Sequence, residues 1–455
     1  MHSPEEKSWL CANVIFVLID LRKPETETTT MLTIQKNLTN TFFAILSLPA
    51  TAMGFALSVQ ISALSWILST KYHLDIEQVG YVWLSGPLAG IFGQIIVGLL
   101  SDRVWFWQGR RRPFILIGGT IAALMLLALP NIDEVSHGLG IANMIIVATG
   151  VALTLDLAIN VSFNPTRAII ADTTPEGKYR TRGYTWMQTI SGMFGVLAYV
   201  ISATFGNYTL IYFGIGLVLV FSLIPTFLIT EPRHLVAEST TTDAAPPVKV
   251  PIQWNELMKL YLAHAFTWLG VQTMFVYIFA YIKYELPVMT DDSIGQTIAI
   301  SFAVLNTVGF LLPAPVLEPL ARKIGRVRTH ALCIGIMAVG YGLIVLWGTT
   351  APILYGLMAV VGIGWAATVS LPFAIMTEKV DKAKMGLFMG IFNLSVVIPQ
   401  LVASGLLGKL INAAENKDLV FMISAVTLAI SALLWMLVKE NAASGQTGPL
   451  AIGGH

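Results

Sequence analysis

Charge is what this 455-residue chain has least of, with Asp, Glu, Lys and Arg making up only 12% of it. A soluble globular domain has about 25%, so an ordinary water-facing surface is excluded. Cysteine is almost absent. Cys11 and Cys333 lie far apart, fit no metal-ligand or redox spacing and are read as inert thiols. The net charge is +1, and the basic residues are scattered over many short loops, which leaves no basic face for nucleic acid. P-loop, H-E-x-x-H and G-x-S-x-G signatures are missing, as is any second polar domain to hold one. An enzyme is therefore not expected, nor a cofactor or a metal site.

What the chain has is apolar length. Hydrophobic residues make up 55% of it, and the 38 glycines suit membrane helices, whose backbones approach closely. Twelve apolar runs of membrane-spanning length fall at 41–69, 79–100, 113–130, 139–169, 184–204, 208–230, 255–282, 294–316, 330–348, 352–376, 386–409 and 418–438. The long polar stretch "EPRHLVAESTTTDAAPPVKVP" (231–251) divides them six and six and reads as a linker. The expected organisation is a segment 1–40, a six-helix bundle 41–230, a linker 231–253, a second bundle 254–438 and a tail 439–455. Alternate loops carry clusters such as Arg110, Arg111 and Arg112, or Arg322, Lys323, Arg326 and Arg328, whereas the opposite loops hold only Lys71, Lys283, Lys409 and Lys417. That asymmetry places both termini in the cytoplasm. Within residues 1–40, "WLCANVIFVLID" is too short to span and is no signal peptide. It is read as lying upstream of an initiator at Met31, the alternative being a surface-lying segment.

The halves resemble each other. Asp102 precedes Gly109 by seven residues in "SDRVWFWQGRRRP", and Glu318 precedes Gly325 by seven in "EPLARKIGRVR". Span four ends "NPTRAIIAD" and span ten "LPFAIMTEK". An internal repeat of six spans suits a transporter with its site between two rocking bundles.

At these residues the chain resembles the major facilitator superfamily and, within it, the sucrose/proton symporters of plants with their bacterial disaccharide-carrier and animal relatives. The spacer before G-R-R-R-P has the longer form of that group. "WLSGPLAG" is similar to its W-L-C-G-P-V-S-G, and Leu155-Asp156 through Asn160 to Arg167-Ala168 and Asp172 is similar to its L-D-V-A-N-N…R-A-L-L-A-D. "SLPFAI" and "GIFNLSVVIPQ" also match. The resemblance implies an all-α membrane protein of twelve transmembrane helices in two pseudo-symmetric bundles, performing proton-coupled symport of a disaccharide or glucoside by alternating access. The alternatives on the same fold are an exporter or antiporter of another small solute and a non-transporting sugar receptor. Two departures favour the bacterial carriers over the plant ones: span seven ("WLGVQTMFVYIFAYI") has no acid, and Ile159 stands where a second Asn is usual. The expected setting is a plasma membrane, the bacterial inner membrane in particular, with the protein monomeric.

Asp156 and Arg167 lie eleven residues apart in an otherwise apolar run. A charge at mid-bilayer costs roughly 2.5–3.5 kcal/mol on insertion scales, so the pair needs a reason. Eleven residues is close to three helical turns, so the two share a face about 16 Å apart along the axis and do not touch. A carboxylate at such a place can gain and lose a proton as a cavity opens to either side, and the resemblance implies that role for Asp156. The alternative is an acid that only ties helices together. For Arg167 a sugar contact and counter-ion stands level with a cytoplasmic-rim anchor. A lone carboxylate favours H⁺ over Na⁺ as coupling ion.

Sugars take planar amides on their hydroxyls and aromatic faces on their C–H surfaces. Gln60, Asn160, Gln188 and Asn393 are the preferred amides, because their surroundings resemble cavity-lining helices of the family; Gln272 follows, and Trp186 and Trp268 are the stacking candidates. Each can instead serve as interhelical glue or packing. His264 is read as a neutral, hydrogen-bonded packing residue. Asp102, Arg103, Gly109, Arg110 and Arg111, with Asp172 and Arg182, form a candidate latch in which charges on one bundle hold the next and shut the cytoplasmic side.

Overall fold

Helices account for nearly all of the regular structure. The computed structural model describes residues 33–91, 93, 104–175, 178–232, 254–287, 290–377, 379–380 and 385–440, with 385–387 described by backbone alone. The long helices are α1 (Asn40–Thr70), α2 (Ile76–Trp83, continued past a turn at Leu84), α3 (Arg112–Ala128), α4 (Met144–Thr173), α5 (Lys178–Phe205) and α6 (Asn207–Leu228). The second half holds α7 (Trp254–Glu285), α8 (Asp291–Leu311), α9 (Arg326–Trp347), α10 (Ala351–Thr377), α11 (Met385–Val402) and α12 (Leu419–Met436). Eleven helical segments among the described residues are long and apolar enough to cross a membrane. The twelfth, span two, is described only in its first part, which is α2 and its continuation. The chain is a multi-pass membrane protein.

The ends of these helices follow from local chemistry. Thr39 caps α1 by accepting from the Phe42 N–H, and Asp75 and Gln78 form a reciprocal capping box at α2. The sequence reads a span over 139–169, but the structure starts that helix later, at Met144, and runs it to Thr173. Gly140, at φ 67°, ends a short helix Ile132–Leu139, and Asn143 then caps α4 through the Ile145 and Ile146 N–H groups. Span eight ends early for a related reason: a π-turn over Pro313–Leu317 separates α8 from the short helix Glu318–Ile324.

Helix pairing repeats with an offset of six. In the first half α1 packs on α5 and α6, α3 on α4 and α6; in the second α7 packs on α11 and α12, α9 on α10 and α12. Contacts between the halves repeat as well, α5 against α8 and α2 against the end of α11. The most hydrophobic stretch of α7 is 83% buried within the protein and that of α5 only 22%, so α7 is interior and α5 leaves much of its surface uncovered by the protein.

Two ends of the molecule can be distinguished. One, the terminal face, gathers residues 33, 232, 254 and 440; the other, the far face, gathers the turns at 71–75, 129–143, 286–290 and 414–418. At the terminal face the Gln35 amide clasps both the carbonyl and the N–H of Thr230. Residues 1–32 and 441–455, and the linker beyond Pro232, lie outside the described residues.

Candidate functional site

Asp156 sits midway along α4 with 5% of its surface exposed. Its Oδ2 accepts from the Ser85 hydroxyl at 2.7 Å and from the Gln60 Nε2 amide at 3.1 Å. The acid thus joins three helices: α4, α1 through Gln60, and the continuation of α2 through Ser85. The turn at Leu84, whose N–H reaches the Tyr81 and Val82 carbonyls, interrupts α2 just before Ser85. Glycines let the helices come close enough. A Cβ on Gly93 would stand 2.9 Å from the Asn160 Cβ, and one on Gly118 of α3 would stand 2.7 Å from the Ala158 carbonyl oxygen. Gln60 is 1% exposed, and its Oε1 has no hydrogen-bond partner among the described residues. Leaving a buried acceptor unpaired costs about 1–3 kcal/mol.

The other expected residues are distributed around this point. Asn160, half-buried one turn on, donates to the Asp156 carbonyl at 2.8 Å. Arg167 is half-buried farther toward the terminal face, with its guanidinium 4.8 Å from the centre of the Phe163 ring, and its carbonyl accepts from Tyr184. Gln188 on α5 and Asn393 on α11 are both half-buried. Gln272 is buried and accepts from Gln400 at 3.2 Å, which ties α7 to α11. Trp186 packs beside the apolar cluster of Phe42, Phe43 and Met187. Trp268 is buried and donates to His264 Nε2 at 3.0 Å. That bond makes Nε2 an acceptor, which fits a neutral imidazole and not an imidazolium, since both nitrogens of the latter are donors. His264 also stacks on Phe392, with ring centres 4.7 Å apart.

The loop motif forms a closed device at the terminal face. Asp102 and Arg103 lie outside the described residues. Trp107 and Gln108 both have positive φ, at 48° and 58°, so the chain folds into a tight turn bridged between Phe106 and Gly109. The turn aims three successive N–H groups at one carboxylate: Arg110 and Arg111 donate to Glu231 Oε2 at 2.8 Å each, and Arg112 to Oε1 at 2.7 Å. A Cβ on Gly109 would stand 2.8 Å from that same Oε1. Arg111 Nε pairs with Asp172 Oδ2 at 2.9 Å, and Arg112 Nη1 donates to the Thr226 and Ile229 carbonyls. Arg182 bonds Asn40 and lies over the Phe43 ring. All these ties join helices of the first half to one another. Asp102 and Arg103 of the expected latch lie outside the described residues, and among the described residues these ties form a brace within one bundle. Its equivalent exists in the second half, where the Arg326 N–H donates to Glu440 at 2.5 Å and Glu256 accepts from the Lys439 N–H at 2.6 Å.

Gln60 as a partner of Asp156, and Ser85, Glu231 and Glu440 altogether, were not read from the sequence. The signal for the two glutamates was present: each is the first acid after the last helix of its half, in "ITEP" and "VKEN". Nothing in one sequence sets the rotation of α1 and α2 against α4.

Three comparisons bear on these observations. The Major Facilitator Superfamily model matches residues 46–404 and again 303–451. Among curated proteins, the Arabidopsis thaliana sucrose transport protein SUC4 is 26% identical over 416 residues, covering 78% of this chain and 81% of that protein. The japonica rice sucrose transport protein SUT2 is 27% identical over 426 residues, covering 78% and 84%. The general alpha-glucoside permease of Schizosaccharomyces pombe is 29% identical over 173 residues, 34% of this chain and 31% of that one. Among solved structures, the inward-open xylose transporter XylE of E. coli aligns with a TM-score of 0.64 at 15% identity, over 89% of this chain and 97% of that one. The nucleoside transporter NupG aligns with a TM-score of 0.63 at 14% identity, over 90% and 99%. At such identities these two likenesses speak for the fold alone.

Proposed function

The chain belongs to the Major Facilitator Superfamily, a family of transporters and not of enzymes, and on that premise we propose that it is a proton-coupled symporter of a disaccharide or glucoside of the sucrose or maltose type. The observation that carries this reading is Asp156: an ionisable group held in a membrane helix at a junction of three helices, with polar donors from two of them on one oxygen. An intramembrane acid so placed is a functional group before it is a structural one. The sucrose transport proteins and the alpha-glucoside permease among its relatives supply the substrate class.

In the proposed cycle Asp156 takes a proton from the far side, sugar binds beside it, the halves rock, and both leave at the terminal face. Asn160 and Gln188 on the first half and Asn393 and Gln272 on the second are the proposed hydroxyl contacts of the sugar, with Trp268 of the second half beside them. Gln60 serves the acid and Trp186 serves packing. Arg167 lies between Asp156 and the terminal face, where it is placed to balance the ionised carboxylate after release. The Lys/Arg bias supports a cytoplasmic terminal face in a plasma membrane.

The test is uptake of radiolabelled sucrose and maltose into proteoliposomes with an imposed inward proton gradient. The wild type accumulates sugar only with the gradient. The Asp156→Asn variant retains sugar exchange at equilibrium and loses accumulation. Accumulation indifferent to the gradient, or an Asn variant that still concentrates sugar, overturns the reading.

A further inference from the structure

Gln60 is the buried side chain that the transport cycle above ties to Asp156 without saying what it does there, and its geometry gives it a task. We infer that Gln60, with Ser85, is the positioning pair that reads the protonation state of Asp156 and passes it to α1 and α2. This inference rests on the symport reading and goes beyond it by assigning where the proton's arrival is felt.

Both donors converge on a single oxygen of the acid, Ser85 Oγ at 2.7 Å and Gln60 Nε2 at 3.1 Å. That arrangement suits a carboxylate, which only accepts. When the proton is taken on Oδ2, the oxygen both donors face, that oxygen becomes an O–H that must donate, and an amide N–H facing it cannot accept. The missing acceptor is already in place. Gln60 Oε1 is buried and has no partner among the described residues, at the other end of the same amide. Rotating the terminal amide about its broad last torsion exchanges Nε2 for Oε1 opposite the acid. Ser85 needs only to turn its hydroxyl, because a hydroxyl both donates and accepts. One protonation event therefore rearranges hydrogen bonds on two neighbouring helices.

The neighbourhood leaves Asp156 as the group that switches. Helix α1 carries no ionisable side chain at all. Helix α2 offers Glu77 and Tyr81, which bond each other two turns and one turn before Ser85. Helix α3 offers Arg112 at its first residue, where it serves the Glu231 brace. Helix α5 offers Tyr199 toward the far face, and Tyr184 with Lys178, Tyr179, Arg180 and Arg182 toward the terminal face. On α4 itself the charged residues are Arg167 and Asp172, and the preceding short helix adds Asp133, Glu134 and His137 at the far face. The link onward is also visible. Five residues past Gln60, the Ser65 hydroxyl donates to the Val276 carbonyl of α7 in the other half and accepts from Trp83 of α2.

The experiment compares Gln60→Met, Ser85→Ala and Ser85→Thr with the wild type and Asp156→Asn, in proteoliposomes, by three readings: sugar Kd, equilibrium exchange, and gradient-driven accumulation across pH. Methionine fills the glutamine's volume without donor or acceptor, and threonine restores the hydroxyl. Gln60→Met and Ser85→Ala are expected to keep Kd and exchange within about twofold while accumulation falls about tenfold or more and its pH profile changes shape; Ser85→Thr recovers both. A parallel loss of sugar affinity makes Gln60 a sugar contact and overturns the inference, as does accumulation unchanged in Gln60→Met and Ser85→Ala. Wild-type uptake that ignores the gradient overturns the symport reading and this one together. Exchange activity shows that each variant has folded, and if Gln60→Met lacks it, the Ser85→Ala and Ser85→Thr pair decides.

Discussion

Glu231 gathers more backbone onto one side chain than any other acid described at the terminal face. Its two oxygens take the N–H groups of Arg110, Arg111 and Arg112, the orphan donors that open α3, and Arg112 Nε lies 3.5 Å away. Replacing Glu231 with alanine leaves three N–H groups and a buried guanidinium uncompensated. The expected cost is on the order of 3 kcal/mol, the scale of breaking a buried ion pair, read as a lowered midpoint of thermal unfolding in detergent. Glu231→Gln, which keeps an acceptor, falls between alanine and the wild type. This residue also marks how far sequence reading reaches. Asp156 is legible because a charge in an apolar run must be explained, whereas Glu231 stands at the mouth of a polar linker where acids are ordinary. Only the three-dimensional turn at Trp107 and Gln108, both at positive φ, gives it meaning. Gln60 was legible as a polar residue in a span but not as a partner of the acid, because 96 residues separate them and helix rotation is a property of packing.

At the scale of elements, periodicity and length recover the described helices, with some ends within a residue or two and others several residues off, and the misses are physical. The span read at 139–169 loses its first residues to Gly140 and Asn143, since a left-handed cap and an N-cap outweigh local hydropathy. The π-turns at Pro313–Leu317 and Ala403–Leu407 are equally invisible to a count of apolar residues. Close approach of α3 and α4 is set by glycine. Gly118 faces Ser162 and the Ala158 carbonyl oxygen, the latter 2.7 Å from where a Cβ would be, and Gly119 faces Ser222 of α6. Gly118→Leu forces α3 off α4 within a turn or two of Asp156. Overpacking of this kind costs about 1–3 kcal/mol. The expected result is a lower thermal midpoint together with weakened gradient-driven uptake, whereas Gly216→Ala on α6, where a Cβ meets nothing within 4 Å, changes neither.

For the whole molecule, the repeated helix pairing means that two similar halves meet along two similar seams, and closure at one end is a matter of how those seams seat. Toward the far face the halves are joined by Trp66 Nε1 to the Asp291 carbonyl at 2.7 Å, Ser65 to Val276 at 3.0 Å, Gln296 to Ala203 at 2.8 Å and Lys283 to Ser69 at 3.2 Å. Tyr277 completes the seal. Its hydroxyl donates to the Ala403 and Ser404 carbonyls in the π-turn after α11, the point against which α2 of the other half packs. Gly80 is what allows that approach: a Cβ there would stand 2.5 Å from the Ser404 carbonyl oxygen and press on the Tyr277 hydroxyl, and Gly408 meets the same hydroxyl from the other side. The carbonyl belongs to backbone and cannot give way as a flexible side-chain tip can. Gly80→Leu therefore wedges the far seam apart without touching Asp156 or any proposed sugar contact. The expected outcome is a carrier that binds sugar with near-normal affinity and fails to exchange or accumulate it. A cysteine introduced at Ser65 becomes reactive to a membrane-impermeant maleimide added at the far face in that background and stays protected in the otherwise unaltered chain. Normal transport by Gly80→Leu, or protection of the cysteine in both backgrounds, would mean that the far end closes by some seam other than α2 on α11.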